Sequence, residues 1–487
     1  MVAHSRMSSN SPTLTPLVED SSAPNASTPY SASRKQMWIW GLGGVSEATM
    51  AQIFGILFNV FQTWFGVDPK LLGSVFALPR LIDALLDPAL GHFSDNLRTR
   101  WGRRKPILLS TCILGALVMA GIWWLDPSWP QWLQGAYLFV FATTYYCALG
   151  TYGMSHQALG YELTDDYHER SRFIAIKAVF MTVVTMMVSW SYKAADLPLF
   201  GDRITGIRWV GFLFACLVVI FTIPVLRYAK ERFTHPVGEH IGLFTSLRQA
   251  MCLQPFRVYI AMRFFSAFGL VIFNQLNFFI NLYFVCSGNQ SLAYEIMGWS
   301  LTITALLSLA LMPLVPKISK KIGKRTGFII SSGLALLQAV LIPLLYTPAN
   351  PYLQLVAACI TAPLIAVGVV LRDAIVPDIC DLDELLHGKR REGLISAAIA
   401  FVYKLEVSLC VFIVGLLLAW VGLDSSLTAQ SPSSITRLQW ATFAPNILCT
   451  ALAFFFATRF SITEQQARQT MQTLLLRRSQ TTQPPQS

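Results

Sequence analysis

Three charged side chains, Arg80, Asp83 and Asp87, interrupt an apolar run of bilayer-spanning length, Leu71 to Phe93. Their spacing of i, i+3, i+7 places them on one helical face. An ionised carboxylate at the centre of a spanning helix costs about 2.5–3.5 kcal/mol on insertion scales, so such groups need partners, an aqueous cavity or a bound ion. One permanent cation beside two carboxylates leaves a deficit of positive charge that a proton or small monovalent cation can fill reversibly. The chemistry this face suits is ion coupling, with H+ or Na+ as the expected ion.

A second polar face repeats the spacing. Asn274, Asn277 and Asn281, with Gln275 beside them, lie in another apolar run. Amides both donate and accept, matching the hydroxyls of a sugar, although interhelical hydrogen bonding also uses them. A third run carries Thr143, Tyr145, Tyr146, Thr151, Tyr152, His156 and Gln157, suited to ring stacking and hydroxyl bonding; hydroxyls bonding their own backbone account for part of that set. Glu47 and Lys404 sit deep in apolar runs. Lys404 near Asp83 or Asp87 would offset their charge when no ion is bound, the alternative being a static ion pair. Glu406 cannot share its face at i+2. Arg372, Asp95, Arg103, Glu162 and Arg170, near the ends of spans, read as gate salt bridges that stabilise one conformer, His92 as a gate or interfacial residue, and Arg263 as a snorkelling side chain.

The elements that must position these groups follow from composition. The chain has 487 residues, 54% hydrophobic and 13% charged, with a mean hydropathy of +0.51. Soluble globular domains carry about 25% charged residues, so this is an integral membrane protein. Twelve apolar stretches of spanning length are predicted at 37–64, 71–93, 106–125, 134–158, 172–192, 209–226, 257–284, 293–315, 326–346, 352–376, 393–420 and 439–458. The expected organisation is a cytoplasmic tail over 1–36, six helices over 37–226, a central cytoplasmic loop over 227–256, six helices over 257–460 and a cytoplasmic tail over 461–487. The first tail reads as disordered, with no cleaved signal peptide.

Of 37 Lys and Arg residues, 27 fall on one side of this scheme and five on the other. Basic residues are retained on the cytoplasmic side, so both termini are expected there, and the net charge of +11 is a topology signal with no nucleic-acid partner implied. Most of the nine cysteines lie in spans and no external pair or CxxC is present, so no disulfide is expected. Trp123, Trp124, Trp129 and Trp132 read as an interfacial belt.

The two halves share a loop grammar. RTRWGRRK after the second span and SKKIGKR after the eighth place Arg103 and Lys324 221 residues apart, and the acidic-then-basic loops after spans four and ten place Arg170 and Arg390 220 residues apart. Two landmarks with one offset imply a six-span unit duplicated in parallel, as in transporters whose halves rock over a midplane site.

With these residues in order, the chain resembles the glycoside-pentoside-hexuronide:cation symporters of the major facilitator superfamily. The resemblance spans all twelve helices and rests on Arg80-x-x-Asp83-x-x-x-Asp87-Pro88, Gly91-x-x-x-Asp95 leading to Gly102-Arg103-Arg104, Ala158-Leu159-x-x-Glu162 with Glu169-Arg170, and Asp378-x-x-Asp381 leading to Lys404. It implies an all-α major facilitator fold. It further implies that Asp83 and Asp87 pair at the cation site with Lys404 nearby, that Lys177 is a cationic sugar contact, that Glu47 lies near an acidic sugar-site position, and that Asp378 and Asp381 join the gates. Two departures stand out. Leu86 replaces an amide beside the second aspartate, which removes a neutral oxygen ligand and makes a proton a simpler coupling ion than sodium, a hard ion satisfied by several oxygens. Span four, over Tyr152 to Gln157, lacks the carboxylate of a sugar site.

The expected function is cation-coupled symport of a sugar or glycoside by a monomer in a plasma membrane, of the bacterial inner-membrane kind, with lipid as its surroundings and no cofactor. The alternatives are a lysolipid carrier of the same family and a non-transporting membrane sensor. An enzyme is not expected, since no HExxH, GxSxG or P-loop pattern is present and duplicated halves have no role in one-sided catalysis.

Overall fold

The computed structural model describes residues 33–97, 99–163, 167–229, 248–387, 392–424, 427 and 429–481. The side chains of His92, Asp95, Glu162, Arg170 and Arg372 lie outside the described residues.

Twelve long helices form the body: α1 Arg34–Thr63, α2 Pro69–Asn96, α3 Lys105–Gly121, α4 Gln131–Glu162, α5 Tyr167–Ser189, α6 Arg203–Tyr228, α7 Gln254–Phe279, α8 Gln290–Leu311, α9 Lys324–Leu345, α10 Leu353–His387, α11 Glu392–Val421 and α12 Pro432–Thr458. A further helix, α13 Glu464–Thr481, follows. The first helix starts inside the span assigned to the tail because Ser33 and Gln36 close a capping box, which satisfies backbone N–H groups left without partners. Nine helices among the described residues are long and apolar enough to cross a membrane. In α2 that measure is broken by the charges at Arg80, Asp83 and Asp87, and in α4 by its Tyr, Thr and Gln residues.

Packing repeats with the sequence. In the first six helices α1 packs on α5 and α6, α2 on α4, and α3 on α4 and α6; in the second six α7 packs on α11 and α12, α8 on α10, and α9 on α10 and α12. Adding six to each helix of the first set yields the second. Two seams join the sets, α2 against α11 and α5 against α8. The repeated loops share backbone geometry too: Gly102 has φ +106° and Gly323 φ +80°, a region glycine enters without Cβ strain.

One end of the interface between the sets is sealed by aromatic rings. Tyr192 stacks on Tyr294 at 5.6 Å and packs on Phe278 at 4.9 Å, and the Trp64 indole donates to the Tyr294 hydroxyl at 3.2 Å. Next to this plug Ser189 donates to the Gly298 carbonyl and the Trp190 indole to Thr302. Trp123 departs from the expected interfacial belt: it is fully buried, stacked on Phe61 at 5.5 Å, while Trp124 and Trp132 stay exposed.

Candidate functional site

On α2 the side chains of Arg80, Asp83 and Asp87 do share a face, and α11 brings Lys404 onto it. The Lys404 ammonium lies 2.7 Å from Asp83 Oδ2 and 2.6 Å from Asp87 Oδ2, and Arg80 reaches Asp83 Oδ2 at 3.3 Å. Asp83 is 0% exposed. Two cations thus face two carboxylates and the quartet is neutral. The positive charge that the α2 sequence lacks is supplied by Lys404, across the seam between the two helix sets. Oδ1 of each aspartate is buried without a hydrogen-bond partner, and Gly150 of α4 lets Asp83 Oδ1 approach its backbone: a Cβ there would sit 2.6 Å from that oxygen.

Arg80 also places its guanidinium 5.0 Å over the Tyr146 ring. Both residues line a cavity of about 200 Å³ with Gly55, Gln275 and Tyr403. Gly55 and Gln275 also border a larger cavity, about 370 Å³, between the helix sets. Gln52, Asn59, Thr185, Asn274, Asn277, Ser300, Gln354 and Thr361 give that cavity hydrogen-bonding walls. Asn277 Oδ1 and Ser300 Oγ are buried there without partners.

The asparagine face divides. Asn274 and Asn277 line the cavity, but Asn281 is 0% exposed; it donates to the Ala293 carbonyl at 2.9 Å and accepts from Gln354 at 2.8 Å. These bonds fasten α7's end to α8 and α10. Asn281 stands at the start of a π-turn over Ile280–Val285 that ends the helix.

On α4 the expected solute contacts also move. Tyr152 is buried, its hydroxyl 3.0 Å from the Thr222 hydroxyl, and Tyr145 donates to the Met50 carbonyl, so both hydroxyls tie helices together. Gln157 is exposed and does not line the two cavities just described. His156, Glu47 and Lys177 assemble a separate cluster: Glu47 Oε2 lies 2.7 Å from Lys177 Nζ and 3.0 Å from His156 Nδ1. The His156 ring stacks on Trp40 at 4.8 Å.

Of the expected gates, Asp378 pairs with Lys324 at 2.8 Å, joining α9 to α10 within the second set. Asp381 borders a cavity of about 270 Å³ beneath α13, and Arg103 is half-buried in the loop after α2. The side chains of Asp95, Glu162, Arg170 and Arg372 lie outside what the structure describes. The sequence reading passed over Gln52, Asn59, Thr185 and Thr361, single polar residues in apolar helices whose direction only packing reveals. Gly150 had no chemical signal at all.

Two packed sets of six helices, related by a shift of six in helix number and holding a polar cavity and a charged seam between them, define a major facilitator transporter. The chain belongs to the family described as MFS/sugar transport protein, which matches residues 39–464, and within the superfamily to the glycoside-pentoside-hexuronide:cation symporters. It is 25% identical over 418 residues to the uncharacterized symporter YnaJ of Bacillus subtilis (strain 168), covering 82% of this chain and 86% of that protein. It is 24% identical over 481 residues to the lactose permease of Lactobacillus helveticus, covering 89% and 70%. Among solved structures it resembles a D-xylose-proton symporter with a TM-score of 0.60 at 17% identity, covering 87% of this chain and 97% of that one, a likeness of fold. The protein is a multi-pass membrane protein of a transporter family.

Proposed function

We propose that the protein carries a sugar or glycoside across a plasma membrane by alternating access, coupled to H+ or Na+ at Asp83 and Asp87. The observation that carries this reading is the Lys404 ammonium bridging both carboxylates across the α2–α11 seam. The quartet is already neutral, so an arriving cation competes with Lys404 for the same oxygens. A proton does so by neutralising one carboxylate, a sodium ion by coordinating both. Either weakens the tie between α2 and α11, so ion binding acts directly on the contact that must change when the helix sets rock. A small ligand shifts such an equilibrium only by its differential affinity for the two states, and an ion that displaces an interdomain ion pair has one.

The cavity supports a hydroxylated solute: its amides and hydroxyls include buried acceptors without partners, which are costly unless a ligand fills them. These walls favour a sugar over a lysolipid. Arg80 and Tyr146 line the smaller cavity beside the ion cluster, and Gln275 borders both that cavity and the larger one, so it stands between the ion cluster and bound solute. The basic-residue imbalance supports cytoplasmic termini. The reading is tested by counterflow of a panel of labelled sugars and glycosides in proteoliposomes, with and without a sodium gradient at constant pH. Saturable exchange of at least one member is expected; exchange of none, with lysolipid moved instead, would overturn it.

A further inference from the structure

The Glu47–His156–Lys177 cluster holds a proton that its geometry requires. His156 is 0% exposed, and both ring nitrogens face acceptors: Nε2 lies 3.0 Å from the Trp40 carbonyl oxygen and Nδ1 3.0 Å from Glu47 Oε2. A carbonyl cannot donate, so Nε2 carries hydrogen. One further proton must then lie between Nδ1 and Oε2, either on the ring as imidazolium or on Glu47 as carboxylic acid, because a neutral ring beside an ionised carboxylate would set two lone pairs against each other. Lys177 donates to the same Oε2.

We propose that Glu47 and His156 form a second proton-binding site, separate from the Asp83–Asp87 cluster and independent of whether that cluster is the coupling site. Taking up the proton raises the charge of the trio from zero to +1. Releasing it breaks one of the two His156 links, to Trp40 or to Glu47, and so loosens α4 from α1. The reciprocal bond from the Trp40 indole to the His156 carbonyl, at 2.9 Å, makes this the point where the two helices are tied.

Among the described residues the ionisable groups facing the pair are Lys177 from α5 and Tyr152 from α4, whose ring centroid lies 5.9 Å from that of His156. Behind them α6 presents Thr222 and α3 presents Cys112. On the far side stand Asp83 and Arg80 of α2 and Lys404 of α11. The helix joining the two clusters is α4. Gly150 borders Asp83 and Lys404, Gly153 borders Glu47, and His156 binds Glu47. Gly150 and His156 are six residues apart, roughly 9 Å along α4 at about 1.5 Å rise per residue.

The test is proton counting on the purified full-length protein in unbuffered detergent over the pH range in which it stays folded. Glu47→Gln and His156→Gln are each expected to lose about one titrating proton per chain, and the double variant to lose that same one, because the pair holds it jointly. Asp126→Asn, at an exposed loop carboxylate outside both clusters, is expected to keep it. No loss in either single variant, two losses in the double variant, or the same loss in Asp126→Asn would overturn the proposal. Wild-type protein with 15N-labelled histidine supplies a readout free of any folding defect. One imidazole should have both nitrogens hydrogen-bonded below the titration step and one released above it; no imidazole with both nitrogens engaged at any pH would overturn the proposal.

Discussion

Gly73 on α2 and Gly415 on α11 cross with no side chain between them: a Cβ added to Gly415 would stand 2.8 Å from the Gly73 Cα and 2.6 Å from the Pro69 carbonyl oxygen. Small residues let membrane helices approach this closely. Farther along the same seam Ser408 donates to the Ala77 carbonyl at 2.7 Å, and beyond it Lys404 reaches Asp83 and Asp87. Backbone contact, a hydrogen bond and an ion pair thus follow one another along a single line between the helix sets, so closure at the glycine end and charge at the lysine end belong to one rigid contact.

A side chain at the glycine crossing should hold that end apart. Overpacking typically costs about 1–3 kcal/mol, which corresponds to roughly a 5- to 150-fold shift between conformers. In Gly415→Val, a cysteine at Gln52 in the central cavity should become severalfold more reactive to a polar reagent applied from the side of the α3–α4 loop. Unchanged reactivity would show that this crossing does not govern access.

Asn277→Ala and Asn281→Ala should part company. Loss of the cavity amide at Asn277 should weaken solute binding by about 1–3 kcal/mol with little change in melting temperature. Asn281→Ala removes a donor to Ala293 and an acceptor for Gln354, so it should lower thermal stability while solute affinity in the folded fraction holds. Calorimetric binding and a melting curve on each variant check both halves, and the opposite pattern would return Asn281 to the cavity wall.

How much of this was legible in the sequence depends on the kind of residue. The α2 triad was, because three charges in an apolar run admit few explanations and its helix is regular. The pairing of repeats was legible in loop chemistry, and Gly102 and Gly323 show why those loops kept glycine. Asn281 bonds α8 and α10 away from the cavity, and the Tyr152 hydroxyl bonds a neighbouring helix, partners that residue type and spacing alone do not encode. The neutrality of the ion cluster needed Lys404 brought across the seam, a long-range contact that no local spacing encodes.

Gly150→Ala should damage ion binding without touching any charge. Its added methyl would press on Asp83 Oδ1 at 2.6 Å, forcing the carboxylate off Lys404 or α4 away from α2. Ion-dependent protection from proteolysis should fall about tenfold or more in apparent ion affinity, which is about 1.4 kcal/mol, while a neighbouring change such as Leu149→Ala leaves ion affinity within about twofold. Equal effects of the two would point to general loosening of α4.

The coupling assignment at Asp83 and Asp87 is tested most directly by solute accumulation in proteoliposomes carrying Asp83→Asn or Asp87→Asn, under an imposed proton or sodium gradient. Asparagine keeps the volume and removes the charge, leaving Lys404 with a single carboxylate and the ion without its counter-charge. Uphill accumulation should fail in both variants while downhill exchange of solute persists in at least one, since Asn274, Asn277 and the other cavity walls are intact. Accumulation against the gradient by both variants, at wild-type level, would contradict the assignment of these carboxylates as the coupling site.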